Sequence, residues 1–284
     1  GVPARSGHTA IMAGNEMFVW GGNTNTGFRY DPGTDTWMAM STINAPSSRR
    51  LNVAIWTGTE MLVWGGASPA DQALDTGGRY DPMTDTWNPM PTENAPSPRV
   101  GMAYAWTGAE LIVWGGVDSP VAGTTLTDGA RYNPVTDTWT PMAIGDATGG
   151  PELVAAWNGY EMVVWNGGLP SFIDGNGYPA KTATLRMYDP LTDSWRATAN
   201  LCEPYLGAGE VHAHWTGSRL FVWSNDENGG YFYDPASDSW DAIDSFGGPS
   251  ARSGAASAWT GGRFVLWGGQ APSGLQETGF VFTE

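Results

Sequence analysis

Short β-patterned apolar runs that end in tryptophan recur six times along the chain. They read FVWGG, LVWGG, IVWGG, VVWNGG, FVWSN and VLWGG, and their tryptophans are Trp20, Trp64, Trp114, Trp165, Trp223 and Trp267. Successive tryptophans are 44, 50, 51, 58 and 44 residues apart. A repeat of about 50 residues with a glycine doublet is typical of a radial β-repeat, in which every repeat forms one small sheet.

Two further signals recur along the chain and predict four strands, a to d, in the repeats that contain both. A Trp-Thr-Gly element such as 56–58, or Trp-Asn-Gly at 157–159, precedes each of the later runs and indicates a tight a–b turn, because glycine supplies the positive φ of a short hairpin. A Tyr-Asp-Pro-x-Thr-Asp-Thr-Trp element such as 80–87 follows a loop of variable length and predicts strands c and d around an Asp-Pro turn. The a–b and c–d turns then lie on one face, the turn face, and the longer b–c and d–a connections lie on the other, the loop face.

This pattern resembles the kelch repeat from Arg5 to Phe282. It includes the Arg-x-Gly-His element at 5–8, the glycine doublet, the Tyr-Asp-Pro turn and the tryptophan that follows. The resemblance implies an all-β, six-bladed kelch-type β-propeller with four antiparallel strands per blade. The last repeat lacks the Thr-Asp-Thr-Trp strand, so the sixth blade is expected to have three strands. We predict a single domain over 1–284, with blades at about 5–42, 43–92, 93–144, 145–200, 201–246 and 247–284.

Composition restricts the partners. The chain has 284 residues, 29 acidic against 13 basic side chains, and a formal net charge of −16. Such a charge repels phosphate backbones, so we expect no nucleic acid partner, and since no run of 18 apolar residues occurs, we expect no membrane insertion. All 16 tryptophans fall in the a, b and d strand registers, which predicts that they form the core between blades.

The first residue is Gly1 rather than methionine, and the chain has no Asn-x-Ser/Thr acceptor for glycosylation. We therefore expect a bacterial protein that is extracellular or periplasmic. We also expect a monomer.

Comparison of the repeats with one another singles out two positions before the end of strand a. Seven residues before it stand Arg5, Arg49, Arg99, Gly150, Ala208 and Arg252, and five residues before it stand Gly7, Leu51, Gly101, Glu152, Glu210 and Gly254. The two blades that lack the arginine are the two that have a glutamate. We predict a channel mouth that is positive on one side, through an arc of arginines, and negative on the other. The alternative is that the arginines are structural and bond loop carbonyls, and that the glutamates are solvated.

The loop face also has candidate contact residues. The b–c loop of the fourth repeat is the longest and contains Phe172 and Tyr178, and the following d–a loop contains Tyr205. His212 and His214 share one side of strand a in the fifth repeat and are weak candidates for a two-histidine metal site. No acidic or thiol ligand is tied to them by spacing, so we expect no metal and no cofactor.

Two functions of different classes follow. The first is a binding module whose loop face, with its arginines and aromatic residues, captures a protein segment or a glycan. The alternative is a small-sugar enzyme that resembles the kelch-type sialic-acid mutarotases, in which Arg5, Arg49, Arg99 and Arg252 would hold an acid sugar and Glu152 or Glu210 would be catalytic. Whether the protein is an enzyme is left open, and the binding module is preferred.

Charged residues also recur at the start of strand b and in strand c of the first three repeats. We predict the cross-strand ion pairs Glu16–Arg29, Glu60–Arg79 and Glu110–Arg131. In the fourth repeat Glu161 is kept, but Met187 stands at the place of the arginine.

Overall fold

In the computed structural model of the protein, the described residues form six antiparallel sheets of three or four strands that follow one another along the chain, and two small two-stranded sheets. It describes residues 2–3, 5–144, 153–165, 172–173, 179–180, 185–198, 211–224, 229–243, 252, 255–271, 274–275 and 278–283. The strands fall into two compact units, one with the first three sheets and one with the other three. None of the described residues lies in a helix, and so the described part of the chain offers no helix long and apolar enough to cross a membrane.

The first unit contains three blades of four strands each, paired in chain order. Their strands are β1 (His8–Ala13), β2 (Glu16–Gly21), β3 (Gly27–Asp31), β4 (Thr36–Ala39), β5 (Val53–Trp56), β6 (Met61–Trp64), β7 (Gly77–Asp81), β8 (Thr86–Pro89), β9 (Ala103–Trp106), β10 (Leu111–Trp114), β11 (Gly129–Asn133) and β12 (Thr138–Pro141). In the second blade Val53 pairs with Trp64, and Met61 pairs with Tyr80. This register places the glycine doublet at one end of the blade and both tight turns at the other.

The second unit contains two blades of four strands and a last blade of three. Its strands are β13 (Val154–Trp157), β14 (Met162–Trp165), β15 (Phe172–Ile173), β16 (Pro179–Ala180), β17 (Leu185–Asp189), β18 (Ser194–Ala197), β19 (Val211–Trp215), β20 (Leu220–Ser224), β21 (Gly229–Asp234), β22 (Ser239–Ile243), β23 (Ala256–Trp259), β24 (Arg263–Trp267), β25 (Gln270–Ala271), β26 (Gly274–Leu275) and β27 (Gly279–Thr283). The pairs β15–β16 and β25–β26 are small hairpins inside the b–c loops. The predicted fold class, an all-β six-bladed propeller with a three-stranded sixth blade, is confirmed. That the chain is a single domain stays a prediction.

Each described c–d turn is fixed by two acceptor side chains of the repeat, which are both aspartates except in the third blade, where Asn133 takes the first place. In the second blade the Asp81 carboxylate accepts hydrogen bonds from the Met83 amide and the Thr84 hydroxyl, both at 2.8 Å. Asp85 has a positive φ of 52° and accepts a 2.7 Å hydrogen bond from the Tyr80 hydroxyl. Aspartate tolerates this left-handed conformation and bonds nearby backbone, which explains why the Asp-Pro-x-Thr-Asp element recurs.

Tryptophan rings connect neighbouring blades within the first unit. The Trp20 ring of the first blade lies 5.5 Å from Trp87 of the second, and Trp64 lies 5.4 Å from Trp139 of the third. These four indoles are at most 3% exposed, so they form the predicted core between blades. Trp37 and Trp267 differ from the prediction, since they are 42% and 59% exposed and therefore do not belong to this buried core.

Candidate functional site

The predicted arginines of the second and third blades are completely enclosed by their own loops. Arg49 and Arg99 are both 0% exposed. The Nη1 atom of Arg49 donates to the carbonyls of Gly65 at 3.0 Å and Thr76 at 2.6 Å, Nη2 donates to the hydroxyls of Thr76 and Ser47, and Nε donates to the Ser47 carbonyl. A guanidinium group has five N–H donors. All five donors of Arg49 are therefore used inside its blade.

Arg99 repeats this arrangement one blade later. Its Nη1 donates to the carbonyls of Gly115 and Asp128, and its Nη2 donates to the Ser97 hydroxyl and the Asp128 carboxylate at 2.9 Å. Nε donates to the Ser97 carbonyl. Burial lowers the pKa of Arg99, and it lowers the pKa of Arg49 to about 10, so both stay charged at neutral pH.

Arg5 and Arg252 bind the equivalent carbonyls of their own blades. Each Nη1 donates to the first residue of the glycine doublet and to the residue before strand c, at 2.9 to 3.0 Å. These contacts are those of the structural alternative, in which the arginine holds the two ends of the b–c loop together. A ligand that took a donor from Arg49 or Arg99 would have to break a buried hydrogen bond. That the four arginines form one arc and bind a ligand stays a prediction.

The loops of the first unit are also tied to one another. Arg50 pairs with Ala67, Val100 pairs with Val117, and Leu74 pairs with Arg99 as isolated β-bridges. The second glycine of the doublet makes this close approach possible, because a Cβ atom on Gly66 would lie 2.5 Å from the Arg50 carbonyl oxygen. The loop face of blades 1–3, formed by 21–27, 40–52, 65–77, 90–102 and 115–129, is therefore held by backbone hydrogen bonds both within a blade and between successive blades.

Leu51 stands out on this loop face. Its φ is +56°, in the left-handed region that costs an ordinary L-residue about 1 to 2 kcal/mol, and it is 53% exposed. The equivalent residues of the first and third blades are Gly7 and Gly101, both with φ of +64°. The Leu51 amide donates a 2.9 Å hydrogen bond to the Gly7 carbonyl, which holds the backbone in place. The aligned glycines were visible in the sequence, but the strain at Leu51 was not inferred from them.

Several predicted site residues lie outside the described residues. These are Glu152, Glu210, Tyr178 and Tyr205. Phe172 begins β15, where the backbone alone is described. The acidic side of the predicted channel mouth and its aromatic contacts therefore stay predictions.

The two histidines of β19 share a hydrogen-bond partner in the next blade. The Ser257 hydroxyl lies 2.9 Å from His212 Nδ1 and 2.9 Å from His214 Nε2. Because a hydroxyl has one proton, it donates to one ring and accepts from the other. The pKa of both histidines is lowered to about 4, by burial in His214 and by burial together with the nearby His214 in His212. Among the described residues no cluster of three or more metal-binding side chains is present.

The three predicted ion pairs of the first unit are confirmed. Arg29 Nη2 lies 2.8 Å from Glu16 Oε2, Arg79 Nη2 lies 2.8 Å from Glu60 Oε2, and Arg131 Nη1 lies 3.4 Å from Glu110 Oε2. The fourth blade has a pair that the sequence analysis missed. Glu161 accepts two 2.7 Å hydrogen bonds from Arg196 of β18. Arg196 is the direct cross-strand partner of Met187, so in this blade the arginine of the ion pair lies in strand d rather than in strand c.

The Kelch-repeats domain profile described for KLHDC2, KLHL20 and DRC7 matches residues 1–153. This is more than half of the 284 residues, and the chain belongs to the kelch-repeat family. No curated protein matches the chain. In general the kelch propeller fold suggests a protein-binding module.

Proposed function

We propose that the protein is a binding module that captures a protein segment on its loop face. The observation that carries this proposal is the exposed, strained Leu51. An apolar side chain at a position where glycine would relieve strain does not improve the fold. Strained residues of this kind persist where the surrounding structure fixes them, and they concentrate at binding sites.

The surroundings of Leu51 support the same function. Its backbone is fixed by the hydrogen bond to Gly7, and the neighbouring loops are joined by β-bridges and by the saturated guanidinium groups of Arg49 and Arg99. A rigid surface loses little conformational entropy when it binds a partner. An exposed leucine on such a surface can bury its side chain in a partner at low cost.

The proposal is tested with peptides selected from a random-sequence display library on the immobilised protein. Leu51→Gly removes the side chain and relieves the strain. After the entropy cost of glycine in the unfolded chain is subtracted, we expect unfolding free energy to rise by about 0.5 to 1 kcal/mol. Affinity for peptides that bind the loop face should fall about tenfold.

A matched control is Val135→Ala, which shortens an exposed side chain in a c–d turn of the same unit. It should leave the affinity of the loop-face peptides unchanged. Full affinity of every selected peptide for the Leu51→Gly variant would contradict the proposal, and so would a library that yields no binder. A glycan as the ligand, the sugar-enzyme alternative, the monomeric state and the extracellular or periplasmic location stay predictions.

A further inference from the structure

A groove of about 940 Å³ lies at the ends of the first three blades that carry the tight turns. These ends, the turn face of blades 1–3, consist of the a–b turns at 13–16, 57–60 and 107–110 and the c–d turns at 31–36, 81–86 and 133–138. The groove therefore lies opposite the loop face and is independent of the function proposed above. Aromatic and apolar side chains line it, among them the buried Phe18 and the partly buried Trp56 and Trp106.

Two fully exposed apolar side chains stand at its edge. Met83 is 90% exposed and Val135 is 91% exposed, and each occupies the third position of its c–d turn. The same position is Gly33 in the first blade, Leu191 in the fourth and Ala236 in the fifth. The amides of Gly33, Met83 and Ala236 all donate to the turn aspartate at 2.8 Å, so the turn forms equally with any of these side chains. The fold does not require an apolar residue at this position, and a partner that buries Met83 and Val135 would give it a role.

The charge around the groove is negative. The a–b and c–d turns of the first three blades contain eight carboxylates and no lysine or arginine; the carboxylates are Glu16, Asp31, Asp35, Glu60, Asp81, Asp85, Glu110 and Asp137. Two arginines of strand c, Arg29 and Arg79, also line the groove, and Arg131 has the equivalent position in the third blade. Arg29 is already bound to Glu16 and to the Pro82 carbonyl at 2.7 Å, and Arg79 is bound to Glu60 and lies 3.4 Å from Asp137. An occupant therefore meets excess negative charge.

We infer that this groove binds a cationic protein segment that combines lysine or arginine with apolar side chains. The apolar part would pack on Met83, Val135 and the aromatic floor, and the positive side chains would lie near the carboxylates of the turns. A groove that crosses three blades suits an extended segment rather than a small molecule. The negative charge around the groove disfavours phosphate and nucleic acid as ligands.

The test uses three synthetic 12-residue peptides and isothermal titration calorimetry. One peptide alternates lysine with leucine and tryptophan, the second replaces lysine with glutamate, and the third replaces the apolar residues with serine. We expect the first to bind at least tenfold more tightly than the other two. Its affinity should also fall as sodium chloride rises from 50 to 500 mM, because exposed charges are screened.

The variant Met83→Gly/Val135→Ala installs the residues that blades 1 and 5 carry at this turn position. It should weaken binding of the first peptide about tenfold without a change in melting temperature. Met83→Lys/Val135→Lys should weaken it more, because it adds charge of the same sign as the peptide. The control is Leu191→Ala, the equivalent turn residue of the fourth blade, which is 92% exposed and should leave binding unchanged.

Three results would each overturn the inference. They are equal binding of the glutamate peptide, unchanged affinity of both double variants, and no measurable binding of the lysine peptide. If Leu51→Gly alone reduces binding of the lysine peptide, the peptide occupies the loop face and the groove is not its site.

Discussion

The histidine pair of the second unit makes a quantitative prediction about acid stability. His212 and His214 of β19 share the Ser257 hydroxyl of β23, and the His214 ring lies 5.8 Å from the Phe264 ring of β24. Protonation of either ring would place a positive charge among buried aromatic and hydroxyl groups. The perturbation is therefore a pH decrease, and the matched variant is His212→Asn/His214→Gln. The two amide side chains approximate the positions of Nδ1 and Nε2 but do not titrate.

The magnitude follows from the pKa values. Both histidines have a pKa lowered from 6.5 to about 4 in the folded chain. Between these values the unfolded chain binds protons that the folded chain does not. The contribution of the two histidines to the unfolding free energy is therefore fully present above pH 6.5 and is lost as the pH falls towards 4. One pKa unit corresponds to about 1.4 kcal/mol, so each histidine accounts for about 3 kcal/mol over this window. Near pH 5 the pair should therefore lower the unfolding free energy by about 2 kcal/mol for each unit by which the pH falls.

The assay is urea unfolding followed by tryptophan fluorescence at pH 7.5, 6.0, 5.0 and 4.5. The wild-type chain should lose several kcal/mol of unfolding free energy across this series. Near pH 5 the slope of unfolding free energy against pH should be smaller in the double variant than in the wild-type chain by about 2 kcal/mol per pH unit. His8→Asn is the control: the pKa of His8 is lowered by desolvation and by the nearby Arg5, but His8 is an exposed residue outside the pair, so this variant should keep most of the wild-type pH dependence. Parallel pH profiles of the wild-type chain and the double variant would refute the reasoning.

Three further predictions concern the arginine and glycine positions and the candidate enzyme residue. Arg99→Lys should lower unfolding free energy by about 2 to 3 kcal/mol in urea titrations, because three ammonium donors cannot replace five buried guanidinium donors; an unchanged value would contradict the structural role. Gly101→Leu should cost about 1 to 2 kcal/mol, since it places at φ +64° the residue that blade 2 has as Leu51; a neutral effect would argue against strain at either position. If the protein is a sugar enzyme, Glu210→Ala should abolish sialic acid mutarotation measured by NMR; equal rates with and without the substitution, or none in the wild-type chain, would reject the enzyme alternative.

Much of the fold could be predicted because its signals are local. The tryptophan-closed runs at 18–22 and 62–66 are strands β2 and β6 with their glycine doublets. The Asp-Pro-x-Thr-Asp elements form c–d turns in which both aspartates have defined hydrogen bonds. Strand alternation and turn chemistry act over a few residues, and six repetitions made each signal unambiguous.

The contacts of the candidate site were harder to predict, because they join residues in loops whose lengths differ from repeat to repeat. Sequence alignment of the repeats found Arg49 and Arg99 but could not show that every N–H donor is used by groups 2 to 29 residues away. It also found Met187 rather than an arginine opposite Glu161 in strand c and predicted no ion pair there, whereas Arg196 of strand d binds Glu161. Only a structure shows which neighbouring strand supplies a partner.

The sequence by itself determined the six blades, the strands within them, the opposite sides of the turns and loops, and the ion pairs Glu16–Arg29, Glu60–Arg79 and Glu110–Arg131. These depend on period-two alternation, on turn residues and on cross-strand neighbours that the repeat aligns. The tertiary structure decided that buried carbonyls saturate Arg49 and Arg99, that Leu51 is strained, and that a negatively charged groove lies on the turn face. The physical reason is that hydrogen-bond saturation depends on how the loops of one blade fold onto each other, whereas the fixed backbone of Leu51 and the shape of the groove depend on how neighbouring blades pack.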